Sequence, residues 1–328
     1  MAVKTLGSEK KTGILLVNLG SPSAPTVSAV RKFLRQFLGD PRVVNLPRFI
    51  WWIILNAFVL PFRPKKSAKA YQKVWTDQGS PLTFFTRQLT ENVRSQLTDK
   101  TILIEFAMRY GEPSIAQRLA SFKEQGMDAL IVLPLYPQYS STTSASIYDD
   151  LIKELNQWRH LPSFKFISDY HQDVHYIAAV AASISQKWQT QGKNALLVMS
   201  FHGLPKQLTA WGDPYFYHCQ NTAQLIANKL NLEAGQWQLV FQSRFGKAEW
   251  LQPYCLETLE NLPKQGIKSV DVVCPGFAVD CLETLEEIAI ANKAAFIAAG
   301  GETYHYIPAL NDTDTHVGVM LNLLAQNT

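Results

Sequence analysis

The sequence predicts an α/β protein made of two related, doubly wound halves, each built on a parallel sheet of four strands. Three observations carry that expectation. Short apolar runs alternate with amphipathic helical stretches along the 328 residues. Several of the runs lack polar alternation, as strands covered by helices on both faces do. The ends of corresponding runs also repeat: VNLGSP (17–22) parallels SFHGLP (200–205), MRYG (108–111) parallels SRFG (243–246), and LPLYPQ (133–138) loosely parallels VCPGFA (273–278).

In chain order, strands are expected over 13–18, 102–108, 129–135 and 164–167 in the first half, and over 195–200, 238–242, 269–273 and 303–307 in the second. A helix over 175–188 connects the halves, which places the units at residues 1–174 and 175–328. The length agrees, because 328 residues is well above the ~150 expected of one domain. Between the first two strands lie about 80 residues, far more than a crossover needs. The excess holds the apolar window FIWWIILNAFVLPF (49–62), then Arg63, Lys65, Lys66 and the turn Gly79-Ser80-Pro81.

Composition excludes several classes. Hydrophobic residues make up 47% and charged residues 18%, an ordinary globular balance. A net charge of +4 without a basic block argues against nucleic acid. The apolar window is shorter than the ~20 residues that cross a bilayer and is closed by Pro61. The apolar stretch near the start ends at Gly20-Ser21-Pro22 and reads as a buried strand, not a signal peptide. Cys219, Cys255, Cys274 and Cys281 lack paired spacing, so reduced thiols in the cytoplasm are expected. No G-x-G-x-x-G, P-loop, G-x-S-x-G or H-E-x-x-H motif occurs.

Ligands of open α/β sheets lie beyond the carboxyl ends of the strands, so the chemistry is sought in the loops there. His202 ends the strand ALLVMS, before Gly203 and Pro205, where no helix can yet begin; the matching residue of the first half is Leu19. After the strand SVDVV, Asp280 fits a helix N-cap with Glu283 at N3. Acidic residues also suit a helix start with no function attached, yet Glu283 and Glu287, four apart, share a face and could relay protons or hold a hydrated cation. Arg109 and Tyr110, with Arg244 as the parallel of Arg109, end the next strands; Arg109 suits a substrate carboxylate or an ion pair closing the following helix. Tyr136, Tyr139 and the run Ser140 to Thr143 form a hydroxyl-rich, anion-friendly turn before a helix. Trp250 could line a pocket or fill the core. His160, His171, His175, His218, His305 and His316 read as structural or solvated. Together these residues describe a cleft for a flat hydrophobic ligand that exchanges protons for a cation.

The segments SFHGLP, FQSRFGKAEWLQPY, CPGFAVDCLETLEEI, RYGEPS, LPLYPQYSSTT and GILLVNLGSP make the chain resemble the ferrochelatases, above all those of Gram-negative bacteria, over almost its whole length. The resemblance implies a lyase that inserts Fe²⁺ into protoporphyrin IX with release of two protons, the last step of haem synthesis. It implies two Rossmann-like domains of chelatase type facing across a porphyrin cleft, with a terminal helix at about 313–325 packing back on the first domain. His202 and Glu283 become the facing pair that holds metal or takes protons, and Glu287 continues the acidic line. Leu19, Arg109, Tyr110, Ser141 and Trp250 become substrate-side residues. Cys281 stands where animal members have a histidine, and Ala291 stands where some members continue the acidic line. No iron–sulfur cluster and no cofactor beyond substrate Fe²⁺ are expected, since the chain stops soon after its last helix. A cytoplasmic monomer is expected, with the 49–62 stretch as a lid or as peripheral contact with the inner membrane. A sirohydrochlorin-type chelatase would need further histidines in the cleft, and a noncatalytic tetrapyrrole or metal carrier would bind porphyrin without converting it.

Overall fold

The computed structural model describes residues 10–244, 246 and 248–327. Apolar runs too continuous for a half-exposed strand form eight parallel strands in two sheets: β1 (Thr12–Asn18), β2 (Ile102–Met108), β3 (Ala129–Pro134) and β4 (Ser163–Phe166), then β5 (Leu196–His202), β6 (Trp237–Gln242), β7 (Ser269–Val273) and β8 (Thr303–Ile307). The sheet orders, β2-β1-β3-β4 and β6-β5-β7-β8, are the same topology twice.

Helices cover both faces of each sheet. The first half holds α1 (Val27–Gly39), α2 (Arg48–Ile54), α3 (Leu60–Val74), α4 (Pro81–Gln96), α5 (Ile115–Glu124) and α6 (Ser144–Leu155). The second holds α8 (Gln207–Ala210), α9 (Tyr215–Lys229), α10 (Cys255–Asn261) and α11 (Lys293–Ala298). Between them runs α7 (Val174–Gln191), started by the Asp173 carboxylate, which accepts from the His175 and Tyr176 backbone N–H groups. The last helix, α12 (Asp314–Ala325), packs on both α4 and α7, and Asn92 Nδ2 donates to the Asp312 carbonyl at 3.0 Å. One apolar core spans both halves, from Ile14 and Leu16 through Ile177 and Ile184 to Met199 and Phe201.

The repeat extends to the loops. After β2, the Met108 N–H donates to the Pro113 carbonyl at 2.7 Å; after β6, the Phe241 N–H donates to the Pro253 carbonyl at 2.8 Å. Each half also has a glycine where the β1 or β5 exit meets its neighbour. A Cβ on Gly20 would sit 1.7 Å from the Tyr110 carbonyl oxygen, and one on Gly203 would sit 2.6 Å from that of Gln242. Only glycine allows either approach, and Gly20, at φ +105°, also needs its conformational freedom.

The insertion after β1 becomes α2, a π-helical turn (Leu55–Val59) and α3, folded against α1. Trp51 is its anchor, buried with its indole N–H on the Leu38 carbonyl at 2.6 Å. Phe49, Trp52, Phe58 and Phe62 face outward, Phe49 at 76% exposure and Phe62 at 73%. No helix among the described residues is long and apolar enough to cross a membrane.

Candidate active site

His202 closes β5 opposite Gln242 of β6, and the adjoining residues assemble one hydrogen-bonded unit. Gln242 accepts from the Ser200 hydroxyl at 2.7 Å and donates to the Glu283 carbonyl at 3.0 Å. Ser243, held at a left-handed φ of +66°, gives its backbone N–H to Glu287 Oε1 at 2.8 Å and its hydroxyl to Oε2. A non-glycine residue in that conformation is strained, and the carboxylate it grips explains why the strain is kept. Burial raises the Glu287 carboxyl above its ordinary pKa, the two Ser243 bonds and the His202 imidazole oppose that shift, and the Glu283 charge adds to it. The His202 imidazole and the Glu283 carboxylate thus both act on Glu287. His202 Nδ1 lies 2.7 Å from the Gly203 carbonyl, an acceptor only, so that nitrogen is the donor of the pair and, in the neutral ring, the lone pair falls to Nε2.

The acidic segment differs from the capped α-helix expected. Residues Glu283–Asn292 are π-helical, and Asp280 makes no capping box with Glu283. The Asp280 carboxylate is buried, accepting from Thr284 Oγ1 and Asn311 Nδ2 at 2.8 Å each and from the Tyr306 hydroxyl. Three competing donors fix it inward. Glu283 is left lining a cavity of about 80 Å³ together with Leu19, Arg63, Tyr71 and Cys281. Arg63 and Tyr71 come from the insertion: burial lowers the Arg63 pKa against the Glu283 carboxylate, and burial then the Glu283 charge push the Tyr71 hydroxyl up. The insertion thus supplies one wall of this cavity. Its α3 is tied to the π-helical segment by Lys73 Nζ on Glu286 Oε1 at 2.7 Å.

The remaining predicted residues are placed differently. Arg109 and Tyr110 meet at Asp40: the guanidinium at 2.6 Å, the phenol at 2.8 Å and the Ser146 hydroxyl at 2.6 Å all converge on Oδ2. Asp150 is a second carboxylate 3.4 Å from Arg109, so Arg109 does make ion pairs, but with α6 and the end of α1 and not with the helix that follows it, α5. Those donors hold the Asp40 carboxyl below its ordinary value in spite of burial, and burial of Tyr110 raises its hydroxyl. Ser141 gives both N–H and hydroxyl to Asp213 at 2.7 Å, so the anion at the hydroxyl-rich turn is the other half's own carboxylate. Ser141 lines a separate cavity of about 440 Å³ with Arg42, Trp211 and Asp213. Trp250 pairs with Pro205, its ring packs near Gly203, and among the described residues its buried indole N–H has no acceptor. Trp51 is an anchor and Trp52 points to solvent, so neither walls the cavity next to Glu283. Asp40, Ser146 and Asp213 carry these networks without a motif to mark them, and Ser243 lies in the repeated SRFG, which marks the strand end but not the grip on Glu287.

A family model described as Ferrochelatase matches residues 11–328. The chain is 54% identical over 314 residues to "Ferrochelatase" of Methylococcus capsulatus, covering 96% of each chain. It is 50% identical to "Ferrochelatase 2" of Shewanella oneidensis, covering 96% of this chain and 97% of that one. Among solved structures, SirB from Bacillus subtilis with Fe³⁺ superposes with a TM-score of 0.59 at 14% identity, over 96% of this chain and 95% of that one. CbiX, described as the terminal enzyme for biosynthesis of sirohaem in denitrifying bacteria, gives 0.52 at 13%, over 96% and 99%. At such identities the two structures establish the shared two-domain fold alone.

Proposed function

Starting from a chain that belongs to the ferrochelatase family and inserts Fe²⁺ into a porphyrin in haem synthesis, we propose that His202 removes the pyrrole protons, Glu287 receives them and Glu283 meets the metal. The observation that carries this assignment is the grip of Ser243 on Glu287 beside His202. Insertion trades two N–H protons for one divalent ion, so no electron changes hands. His202 offers one lone pair, at Nε2, and that nitrogen cannot hold an ion and a proton together. A neighbouring carboxyl with raised proton affinity favours the proton, and stabilises the imidazolium in passing. Glu283, at the cavity wall and without that serine grip, suits a partly hydrated divalent cation.

Leu19 packs from the opposite side, and Arg63 is the cavity's guanidinium for a propionate of the ring. Arg109 and Tyr110, occupied by Asp40, position the β2 exit behind Leu19, whose carbonyl accepts from the Tyr110 N–H at 2.8 Å. Trp250 supports the His202 loop. The substrate is protoporphyrin IX, because the apolar stretch 49–62 suits methyl and vinyl edges better than four propionates. The same exposed apolar patch suits peripheral contact with a membrane interface, from which a hydrophobic ring is collected.

Anaerobic mixing with protoporphyrin IX and Fe²⁺ or Zn²⁺, followed through the Soret band, tests the roles. His202→Ala lowers kcat by about 10²- to 10⁴-fold, whereas Glu283→Gln acts chiefly through the KM for metal. A loss below tenfold for His202→Ala, or an unchanged metal KM for Glu283→Gln, overturns the assignment.

A further inference from the structure

Outside the cleft, one cluster has the chemistry of a metal site. Asp169 and His171 follow β4 on the way to α7, and His218 stands on α9. The two imidazoles stack at 3.6 Å between centroids and 10° between planes. His171 Nδ1 and Asp169 Oδ1 are 2.7 Å apart, and one ligand atom from each of the three residues falls within 4.8 Å of the others. His171 is buried while Asp169 and His218 keep access to solvent. We propose that Asp169, His171 and His218 bind a divalent transition-metal ion that staples the two halves together.

The donor set, two imidazoles and one carboxylate, suits zinc, ferrous iron or cobalt, not magnesium or calcium. Ligands on a tetrahedral ion with bonds of about 2.1 Å stand roughly 3.4 Å apart, so side-chain adjustment of little over an ångström closes the set. The ion replaces the proton shared by His171 and Asp169. At His218, Nδ1 is held only by the Tyr139 N–H at 3.3 Å, the weakest bond of the group, and is the nitrogen released most cheaply. The surroundings are already built. Thr222 Oγ1 donates to the His171 carbonyl at 2.8 Å and accepts from Gln138 Nε2 at 3.0 Å, and Ser168 Oγ fixes the other Asp169 oxygen at 3.0 Å. Such outer bonds hold metal ligands in place. This region uses none of the residues assigned to the cleft, so the site acts on the joint and not on the reaction.

The test is an anaerobic Co²⁺ titration read by d–d absorption and by Tm, on the full chain carrying His202→Ala and Glu283→Gln to silence the cleft. The proposal expects one equivalent of Co²⁺ with a Tm rise of about 5 °C at a hundredfold excess over Kd. Adding His171→Asn and His218→Gln weakens binding by roughly 100-fold or more and removes the Tm rise. His171→Asn and His218→Gln in the otherwise native chain leave Zn²⁺ insertion within about twofold, which certifies their fold. Absence of Co²⁺ binding in the cleft-silenced protein overturns the proposal by itself, whatever the junction variants do. So does binding that survives both histidine replacements.

Discussion

The two halves use one scaffold for opposite purposes. At the β1 exit the chain presents Leu19 and at the β5 exit His202, each followed by a glycine that lets the backbone pass close to the neighbouring strand's exit. At the β2 exit, Arg109 is fixed by two carboxylates inside the protein; at the β6 exit, its counterpart Arg244 pairs with Glu257 at the surface, 3.2 Å away. The serine before Arg244, not the arginine, makes the inward contact there by gripping Glu287. Duplicated topology therefore fixes where side chains project, while single residues decide that one exit presents an apolar side chain and the other an imidazole.

The strongest way to break this contrast is to make the halves alike. His202→Leu copies the first half's residue and lowers metal insertion by at least about 10²-fold with a small change in Tm, measured by the anaerobic Soret assay. Full activity in that variant would make the asymmetry irrelevant. The two arginines give the next effect. Asp40→Asn strips the carboxylate from a buried knot of Arg109, Tyr110 and Ser146 and costs about 3 kcal/mol or more in urea unfolding. Glu257→Ala, removing the exposed partner of Arg244, stays within about 0.5 kcal/mol on the same measurement.

Glu287 sharpens the comparison through pH. Its folded pKa lies above the ordinary carboxyl value, so between the two the native state binds more protons than the unfolded one. Stability then falls as pH rises through that window, by linkage. Glu287→Gln removes the dependence: its Tm equals or exceeds the native value near neutrality, and the advantage shrinks as pH falls towards about 4.5. A constant offset from pH 4 to 8 would refute the raised affinity. Smallest is Lys73→Ala, which cuts the tie between the insertion and Glu286; its partner is half-buried but Lys73 is exposed, so Tm shifts by the equivalent of less than about 1 kcal/mol.

Strand positions were readable in the sequence because a buried parallel strand is a local apolar run, and all eight observed strands fall within two residues of the expected bounds. His202 and the glycine after it were readable for the same reason, as strand-end residues with a repeated context. The Asp280 cap was misread, because the Asn311 and Tyr306 groups that draw it inward are remote in sequence.

What the sequence by itself determined is the α/β class, the twofold repeat and the motif residues of the family, all set by local patterning of polarity and turn chemistry. Only the tertiary structure decided which charges meet: Asp40 with Arg109 across 69 positions, Ser141 with Asp213 across 72, and the stacking of His171 on His218. Hydrogen bonds and ion pairs act over a few ångströms in space and leave no periodicity in the chain, so their partners become visible only once the sheets have brought distant loops together.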